Sequence, residues 1–174
     1  MYKLTVLFLI VAFVHLDGFT QDIYDACRKG NVELIKQLSK VNPDTINAPN
    51  KSGYTPLLIA GYRNQLEAVK VLLELGAKVN ALSEEGTVLT AACYKSNVEL
   101  VKILLEQHAD VNVKNNAGTT PLMFAIMAEN EGIVKLLIAA GSDPTMKDNS
   151  NKSVQDYAKN CDNLAIKKII LTDK

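Results

Sequence analysis

Histidine and cysteine are the residues of this sequence best suited to acid–base, nucleophilic or metal chemistry, and there are few of them. The histidines are His15 and His108, and three cysteines are scattered along the chain. A metal site needs three or four converging ligands, and none are patterned near His108. The sequence also lacks a glycine-rich phosphate loop, a His-Glu-x-x-His helix and a Gly-x-Ser-x-Gly turn. We therefore predict that the protein is not an enzyme and has no metal site or cofactor.

The overall composition describes an ordinary globular chain with balanced charge. Hydrophobic residues make up 48% of the 174 residues, which excludes a disordered tail, a collagen-like fibre and a disulfide mini-protein. Nineteen Lys and Arg balance nineteen Asp and Glu, so the formal net charge is zero. Without a net positive field the chain has no general attraction for nucleic acid or an anionic membrane. Recognition of a charged partner must come from local arrangement.

The first twenty residues have the layout of a secretory signal peptide. A short basic start is followed by an apolar run over residues 4–14, and polar residues return at Asp17. The alternative is a membrane anchor, but a span needs about 20 apolar residues and this run is shorter. We predict cleavage after Thr20, with a cut after Gly18 as the alternative. The mature chain would then be secreted or periplasmic, without stable membrane insertion.

The remainder of the chain repeats itself with a period of about 33 residues. Residues 31–36 recur almost letter for letter as residues 97–102. Alanines recur at the same spacing of 32 or 33 residues, at Ala60, Ala92, Ala125 and Ala158. Such a period is typical of stacked repeat units, each of which buries its apolar faces against its neighbours.

Each period carries signals for two short helices. Pro56 and Pro121 lie at first helical positions behind the caps Thr55 and Thr120, which predicts a first helix of two to three turns. The second helix has apolar residues at helical spacing and closes at Gly76 or Gly141. His108 occupies the same closing position, so we interpret it as a left-handed cap.

These landmarks resemble an ankyrin repeat, most clearly over residues 53–61 and 72–80. The resemblance implies an all-α ankyrin-repeat solenoid over residues 21–174, with short β-hairpin-like loops. We divide it into units 22–47, 48–80, 81–112, 113–145 and 146–174, of which the first and last depart from the pattern. In the third unit the position of the hairpin glycine corresponds either to Gly86 or to the residue that follows it.

In arrays of this kind a partner usually meets the hairpin tips and the concave face made by the first helices. The residues that follow the alanine series form a stripe of tyrosine, lysine and arginine side chains. The predicted partner-binding residues on this stripe and its hairpins are Arg28, Lys29, Lys51, Ser52, Tyr54, Tyr62, Arg63, Glu84, Tyr94, Lys95 and Met127. Tyr and Arg are enriched at interface hot spots, and basic groups bond carboxylates. The stripe predicts a protein partner with an acidic segment flanked by apolar groups. The alternative is that these basic side chains form a solvated ridge, because basic residues commonly end helices and complement the helix dipole.

The cysteines are expected to remain unpaired. Stacked helices lie about 8–10 Å apart, so Cys27 and Cys93, two units apart, are too distant for a disulfide. We predict that both are small buried thiols. Cys161 lies nearer a helix end, which predicts exposure and permits an intermolecular disulfide.

The functional prediction is therefore an exported, monomeric module that binds a protein partner. One alternative is an immunity- or effector-type inhibitor of one dedicated partner. Another is an accessory factor of a periplasmic redox enzyme, with Cys161 as its reactive group. Residues 50–52 and 151–153 match the glycosylation acceptor pattern, so a sugar at Asn50 would crowd the predicted surface in a eukaryotic source.

Overall fold

The computed structural model describes residues 22–171, so the predicted signal peptide at residues 1–20 lies outside the described residues. Within that range the chain forms ten α-helices and one 3-10 helix. The shorter, first helices of the pairs are α1 (Ile23–Lys29), α3 (Pro56–Tyr62), α5 (Val88–Tyr94), α7 (Pro121–Met127) and α9 (Val154–Asn160). The second helices are α2 (Val32–Val41), α4 (Leu66–Glu74), α6 (Val98–Glu106), α8 (Glu131–Ala139) and α10 (Leu164–Leu171), and the 3-10 helix is Pro43–Ile46. The predicted all-α repeat architecture is confirmed.

Hydroxyl side chains start the first helices of the second to fifth units, and the Asp22 carboxylate starts α1. Thr55 and Thr120 each accept a hydrogen bond from the N–H three residues ahead, and proline fills the next position, as predicted. Thr87 and Ser153 cap α5 and α9 through reciprocal capping boxes. Each cap satisfies backbone donors that would otherwise be left without partners at a helix start.

Most of the second helices begin at asparagine, and three of them end near a left-handed residue. Asn97 and Asn130 cap α6 and α8 by accepting N–H bonds three residues ahead. Two residues beyond the ends of α4, α6 and α8, the backbone of Gly76, His108 and Gly141 has φ of 89°, 59° and 88°. The interpretation of His108 as a left-handed cap is confirmed.

The units stack through both helix layers, and the first helices pack side by side from α1 to α9. The alanine series makes this possible, because all four predicted alanines are at most 1% exposed. Gly61 is also part of this contact: a Cβ placed there would lie 2.5 Å from Cγ2 of Val88 in the next unit. Small side chains on the first helices therefore set how closely neighbouring units approach.

Asparagines at the ends of three units tie each unit to the next. Asn47 accepts a bond from the Lys78 N–H and donates to the Gly76 carbonyl. Asn112 repeats this arrangement with Asp143 and Gly141, and Asn80 accepts from Asp110. These bonds satisfy loop backbone groups that no helix can reach.

The hairpins between units are turns stabilised by one polar side chain each. Asn50 accepts the N–H groups of Ser52 and Tyr54 in the second unit. In the third unit the turn closes one residue earlier, between Ser83 and Gly86, and φ at Gly86 is 113°. Gly86 is therefore the hairpin glycine, which decides between the two registers that the sequence allows.

No helix within residues 22–171 is long and apolar enough to cross a membrane.

Candidate protein-binding groove

A concave groove of about 780 Å³ runs along the first helices of the central units. Its helix wall comes from α1, α3, α5 and α7 and the residue that ends α3, mostly at exposed or half-buried positions, and its other wall comes from the hairpins. The helix-wall residues are Arg28, Leu58, Ile59, Tyr62, Arg63, Thr90, Ala91, Tyr94 and Phe124. The hairpin-wall residues are Asn50, Tyr54, Glu84, Glu85, Asn115, Asn116 and Ala117. Thr87, the cap of α5, lies between the two walls.

Aromatic rings from three successive units form the helix wall. The rings of Tyr94 and Phe124 meet edge to face with centroids 6.0 Å apart. The Lys95 ammonium reaches back toward the preceding unit and lies 4.3 Å from the Tyr62 ring centroid and 5.8 Å from that of Tyr94. At these distances the ammonium is attracted to the electron-rich ring faces. Lys95 itself does not line the groove, so its charge lies beside the two tyrosines that do.

The basic groups of the groove retain charge for an external partner. Arg28 lies 4.0 Å from the Asp25 carboxylate, at the limit of an ion pair. Arg63 and Lys95 form no ion pair with any carboxylate in the described part of the chain. A carboxylate bound beside Arg63 or Lys95 would therefore gain charge-assisted hydrogen bonds without breaking an internal ion pair.

The hairpin wall carries the opposite charge. Glu84 and Glu85 line it in the third unit, and Glu85 Oε1 accepts a 2.9 Å hydrogen bond from the Tyr54 hydroxyl. This bond to Glu85, with a smaller contribution from burial, raises the pKa of Tyr54 above its usual value. Tyr54 is thus held against the third unit, and its hydroxyl is already engaged within the protein.

The structure brings together most, but not all, of the residues predicted to bind a partner. Lys29 lies outside the groove and forms a 2.8 Å ion pair with Asp25. Lys51 and Ser52 line a second, smaller groove of about 400 Å³ that shares Arg28 and Asn50 with the first. This shared edge makes the two grooves neighbours along the concave face.

The fourth unit presents a different residue from the one that the sequence singles out. Met127 is 47% exposed, but it does not line the groove; Phe124, one turn earlier on α7, does. The repeat spacing could have identified Phe124, because Ile59 and Ala91 are its equivalents in the preceding units and also line the groove. Each central unit therefore presents two helix positions to the groove, that of Phe124 and that of Tyr62 and Tyr94.

The cysteines agree with the sequence prediction in two cases and contradict it in the third. Cys27 and Cys93 are fully buried, as predicted, and burial raises the pKa of the Cys27 thiol to about 12 and that of Cys93 further. Cys161 is only 6% exposed, so the prediction of an exposed thiol is wrong. The Cys161 Sγ lies 3.2 Å from the Ala158 carbonyl oxygen because the chain turns inward between α9 and α10. Burial removes the basis for an intermolecular disulfide or a redox role there.

Within residues 22–171 no group of three or more His, Cys, Asp or Glu side chains is placed to hold a metal ion.

The sequence comparisons agree with this architecture. A family profile described as ankyrin repeats in three copies matches residues 23–83 and 80–148, more than half of the chain. The chain therefore belongs to the ankyrin repeat family, whose members generally mediate protein–protein interaction and are typically not enzymes.

Three relatives show how far the likeness extends. The chain is 37% identical over 59 residues to the rat ankyrin repeat and SAM domain-containing protein 6, covering 34% of this chain and 7% of the relative. It is 35% identical over 82 residues to an ankyrin repeat protein of Rickettsia bellii, covering 42% and 49% of the two chains. It is 30% identical over 63 residues to the human DNA-binding protein RFXANK, covering 36% and 24%. The chain thus spans less than half the length of each of these relatives.

Proposed function

We propose that this chain is an exported, monomeric interaction module that binds one protein partner in the concave groove. The partner presents an acidic segment flanked by apolar groups. The observation that carries this proposal is the pair Tyr62 and Tyr94, which are 47% and 59% exposed, beside the unpaired charges of Arg63 and Lys95. Large exposed aromatic and basic side chains in a concavity are the usual composition of an interface hot spot.

The energetics of the groove favour binding over a purely structural role. Tyrosine supplies contact area with few rotatable bonds, so ordering it on binding costs little entropy. The Lys95 ammonium is already positioned by the rings of Tyr62 and Tyr94, which lowers the ordering cost further. A carboxylate bound there would meet a preorganised cation.

The test is a pull-down from the extracytoplasmic fraction of the source organism, using the mature protein as bait. The groove variant combines Tyr62→Ala, Arg63→Ala, Tyr94→Ala and Lys95→Ala. A matched variant on the second helices combines Glu74→Ala, Lys102→Ala, Glu106→Ala and Lys135→Ala, all at exposed positions. Thermal unfolding monitored by circular dichroism verifies that both variants are folded.

The proposal expects one protein to be retained by the wild type and the second-helix variant and lost by the groove variant. The captured protein is then purified, and its direct binding is measured by calorimetry with the same three baits. Equal retention by all three baits would place recognition outside the groove and overturn the proposal.

Export is tested separately by the start of the mature chain. The apolar run at residues 4–14 followed by polar residues supports cleavage near Thr20. Mass spectrometry of the protein from the extracytoplasmic fraction should show an N-terminal peptide that begins at Gln21. An intact Met1 on cell-associated protein alone would contradict export without affecting the groove.

A further inference from the structure

The groove divides into a cationic half and an aromatic half. The cationic half lies on the first and second units and is lined by Arg28 and Arg63. The Lys95 ammonium, which lies over the ring of Tyr62, adds positive charge beside this half. The aromatic half lies on the third and fourth units and contains the edge-to-face pair of Tyr94 and Phe124. A partner segment lying along the groove therefore meets positive charge at one end and apolar surface at the other.

The acidic hairpin sharpens this division. Glu84 and Glu85 belong to the third unit and line the groove, and Glu85 bonds the Tyr54 hydroxyl of the second unit. A carboxylate bound on the third unit would be repelled by them, and no basic residue of that unit lines the groove, whereas a carboxylate beside Arg63 or Arg28 would be attracted by a guanidinium. The favourable places for acidic groups are thus beside the two arginines.

The distance between repeat units predicts how far apart the apolar and acidic residues lie in the sequence of an extended partner. Neighbouring first helices lie about 8–10 Å apart, and an extended chain advances about 3.3 Å per residue. One repeat unit therefore corresponds to about three residues of an extended partner. Arg63 and Arg28 lie roughly one and two units from Tyr94.

We propose that the partner segment is an extended peptide with one apolar anchor in the aromatic half and carboxylates three and six residues away from it. The anchor packs against Tyr94 and Phe124, the nearer carboxylate bonds Arg63 and Lys95, and the farther one bonds Arg28. This inference rests on the proposed function and adds the spacing and polarity of the recognised segment. Both chain directions satisfy the spacing.

The test uses fluorescein-labelled synthetic peptides and fluorescence anisotropy with the mature protein. The spaced probes carry one phenylalanine and aspartates three and six positions after it, or before it, in a glycine–serine background. The compact probe has the same composition, with both aspartates adjacent to the phenylalanine. We expect one spaced probe to bind about tenfold more tightly than the compact probe at low salt, with the difference shrinking as salt is raised.

Two variants that each remove one positive charge show whether the difference between the probes depends on the groove. Arg63→Ala removes a cation of the groove, and Lys102→Ala removes an exposed cation of α6 on the other helix layer. Arg63→Ala should weaken the spaced probe about fivefold or more and leave the compact probe unchanged. Lys102→Ala should change neither, and thermal unfolding verifies that both variants are folded.

The outcomes separate this inference from the proposed function. Equal affinity for spaced and compact probes, or an Arg63→Ala variant that binds the spaced probe like the wild type, overturns the spacing. If no probe binds but the groove variant still loses its captured protein, the groove binds a partner and the inferred pattern is wrong. If no probe binds and the groove variant also keeps its partner, both proposals fail.

Discussion

The interior side and the groove side of helices α3, α5 and α7 vary in different ways. On the interior side the same types return in each unit, with Leu57, Leu89 and Leu122 each at most 1% exposed. On the groove side Ile59, Ala91 and Phe124 occupy one equivalent position and differ in size and shape. Contact with neighbouring units restricts the first set, because the packed volume between units is fixed.

The difference indicates that separate sets of residues determine stability and binding. Interior residues determine whether units stack, so their substitution should change the free energy of unfolding. Exposed groove residues such as Tyr62 and Tyr94 face solvent in the isolated chain, so their substitution should change binding and leave stability nearly unaltered. Substitutions on the two sides of these helices should therefore separate effects on folding from effects on binding.

The largest effect is expected from truncating a buried leucine of α7. Leu122→Ala should lower the free energy of unfolding by about 2–5 kcal/mol, because it removes buried methyl groups and leaves a cavity. Met127→Ala on the same helix should change it by no more than about 0.5 kcal/mol, since Met127 is half exposed. Urea denaturation of the two variants measures both values. A similar loss for both would break the distinction between the two sides.

The next effect comes from two glycines that should respond in opposite directions. Gly61→Ala should destabilise by about 1 kcal/mol or more, because its Cβ would lie 2.5 Å from Val88 Cγ2 and 3.4 Å from Leu100 Cδ2. Gly132→Ala in α8 should stabilise by about 0.5–1 kcal/mol, since alanine favours the helix and the nearest atom is 3.4 Å away.

The melting temperatures of the two glycine variants provide the measurement, with the wild type as reference. Gly61→Ala is expected below the wild type and Gly132→Ala above it. A stabilised Gly61→Ala would mean that Val88 moves aside easily and that the units are packed less tightly than the structure indicates.

A smaller effect is expected at a buried hydroxyl. Ser142 is 6% exposed, and its Oγ has no hydrogen-bond partner within residues 22–171, whereas Ala77 and Ala109 occupy the same position in the preceding units. Ser142→Ala should raise the free energy of unfolding by about 1 kcal/mol, since it removes an unsatisfied buried polar group. Ser39→Ala is the control, because the Ser39 Oγ donates to the Lys36 carbonyl and its loss should not stabilise.

Urea midpoints of the two serine variants decide this prediction. A Ser142→Ala midpoint at or below that of the wild type would show that the hydroxyl is satisfied in solution.

The smallest effect is a pH dependence of the last unit. The pKa of Asp148 lies below its usual value, chiefly because its carboxylate accepts a 2.6 Å hydrogen bond from the Tyr157 hydroxyl. The pKa of Asp156 falls to about 2, chiefly through the Ser153 hydroxyl. Because both pKa values are lower in the folded state, these groups stabilise the fold above their ordinary pKa of 3.8. That stabilisation is lost as the pH falls from about 4 to 2.

Urea denaturation at pH 5 and pH 2.5 measures this loss, and Asp156→Asn should reduce it. An unchanged pH dependence in that variant would show that other carboxylates control acid unfolding.

Much of the fold follows from local signals in the sequence. Thr55, Thr120 and the following prolines mark helix starts through short-range hydrogen bonding and a fixed φ, so neighbours along the chain suffice to predict them. The 33-residue period adds the stacking, because equivalent positions must meet equivalent neighbours.

The candidate site could be predicted only in part. The sequence singles out Tyr62 and Tyr94, which line the groove, because they follow the alanine series at a regular spacing. Phe124 was missed and Met127 was chosen in its place, since one helical turn separates the residue that lines the groove from one that does not. Cys161 was misjudged because the path of the chain between two helices depends on packing in the last unit.

The family, the helix starts at Pro56 and Pro121 and the alanine series follow from the sequence alone, because caps, prolines and periodicity act through local geometry. Only the tertiary structure decided that Lys95 lies over Tyr62, that Tyr54 is held by Glu85, and that one groove has a cationic and an aromatic half. These contacts join residues about 30 positions apart. Their geometry depends on how far each unit is shifted and rotated against the next, which is set by the packing of the whole stack.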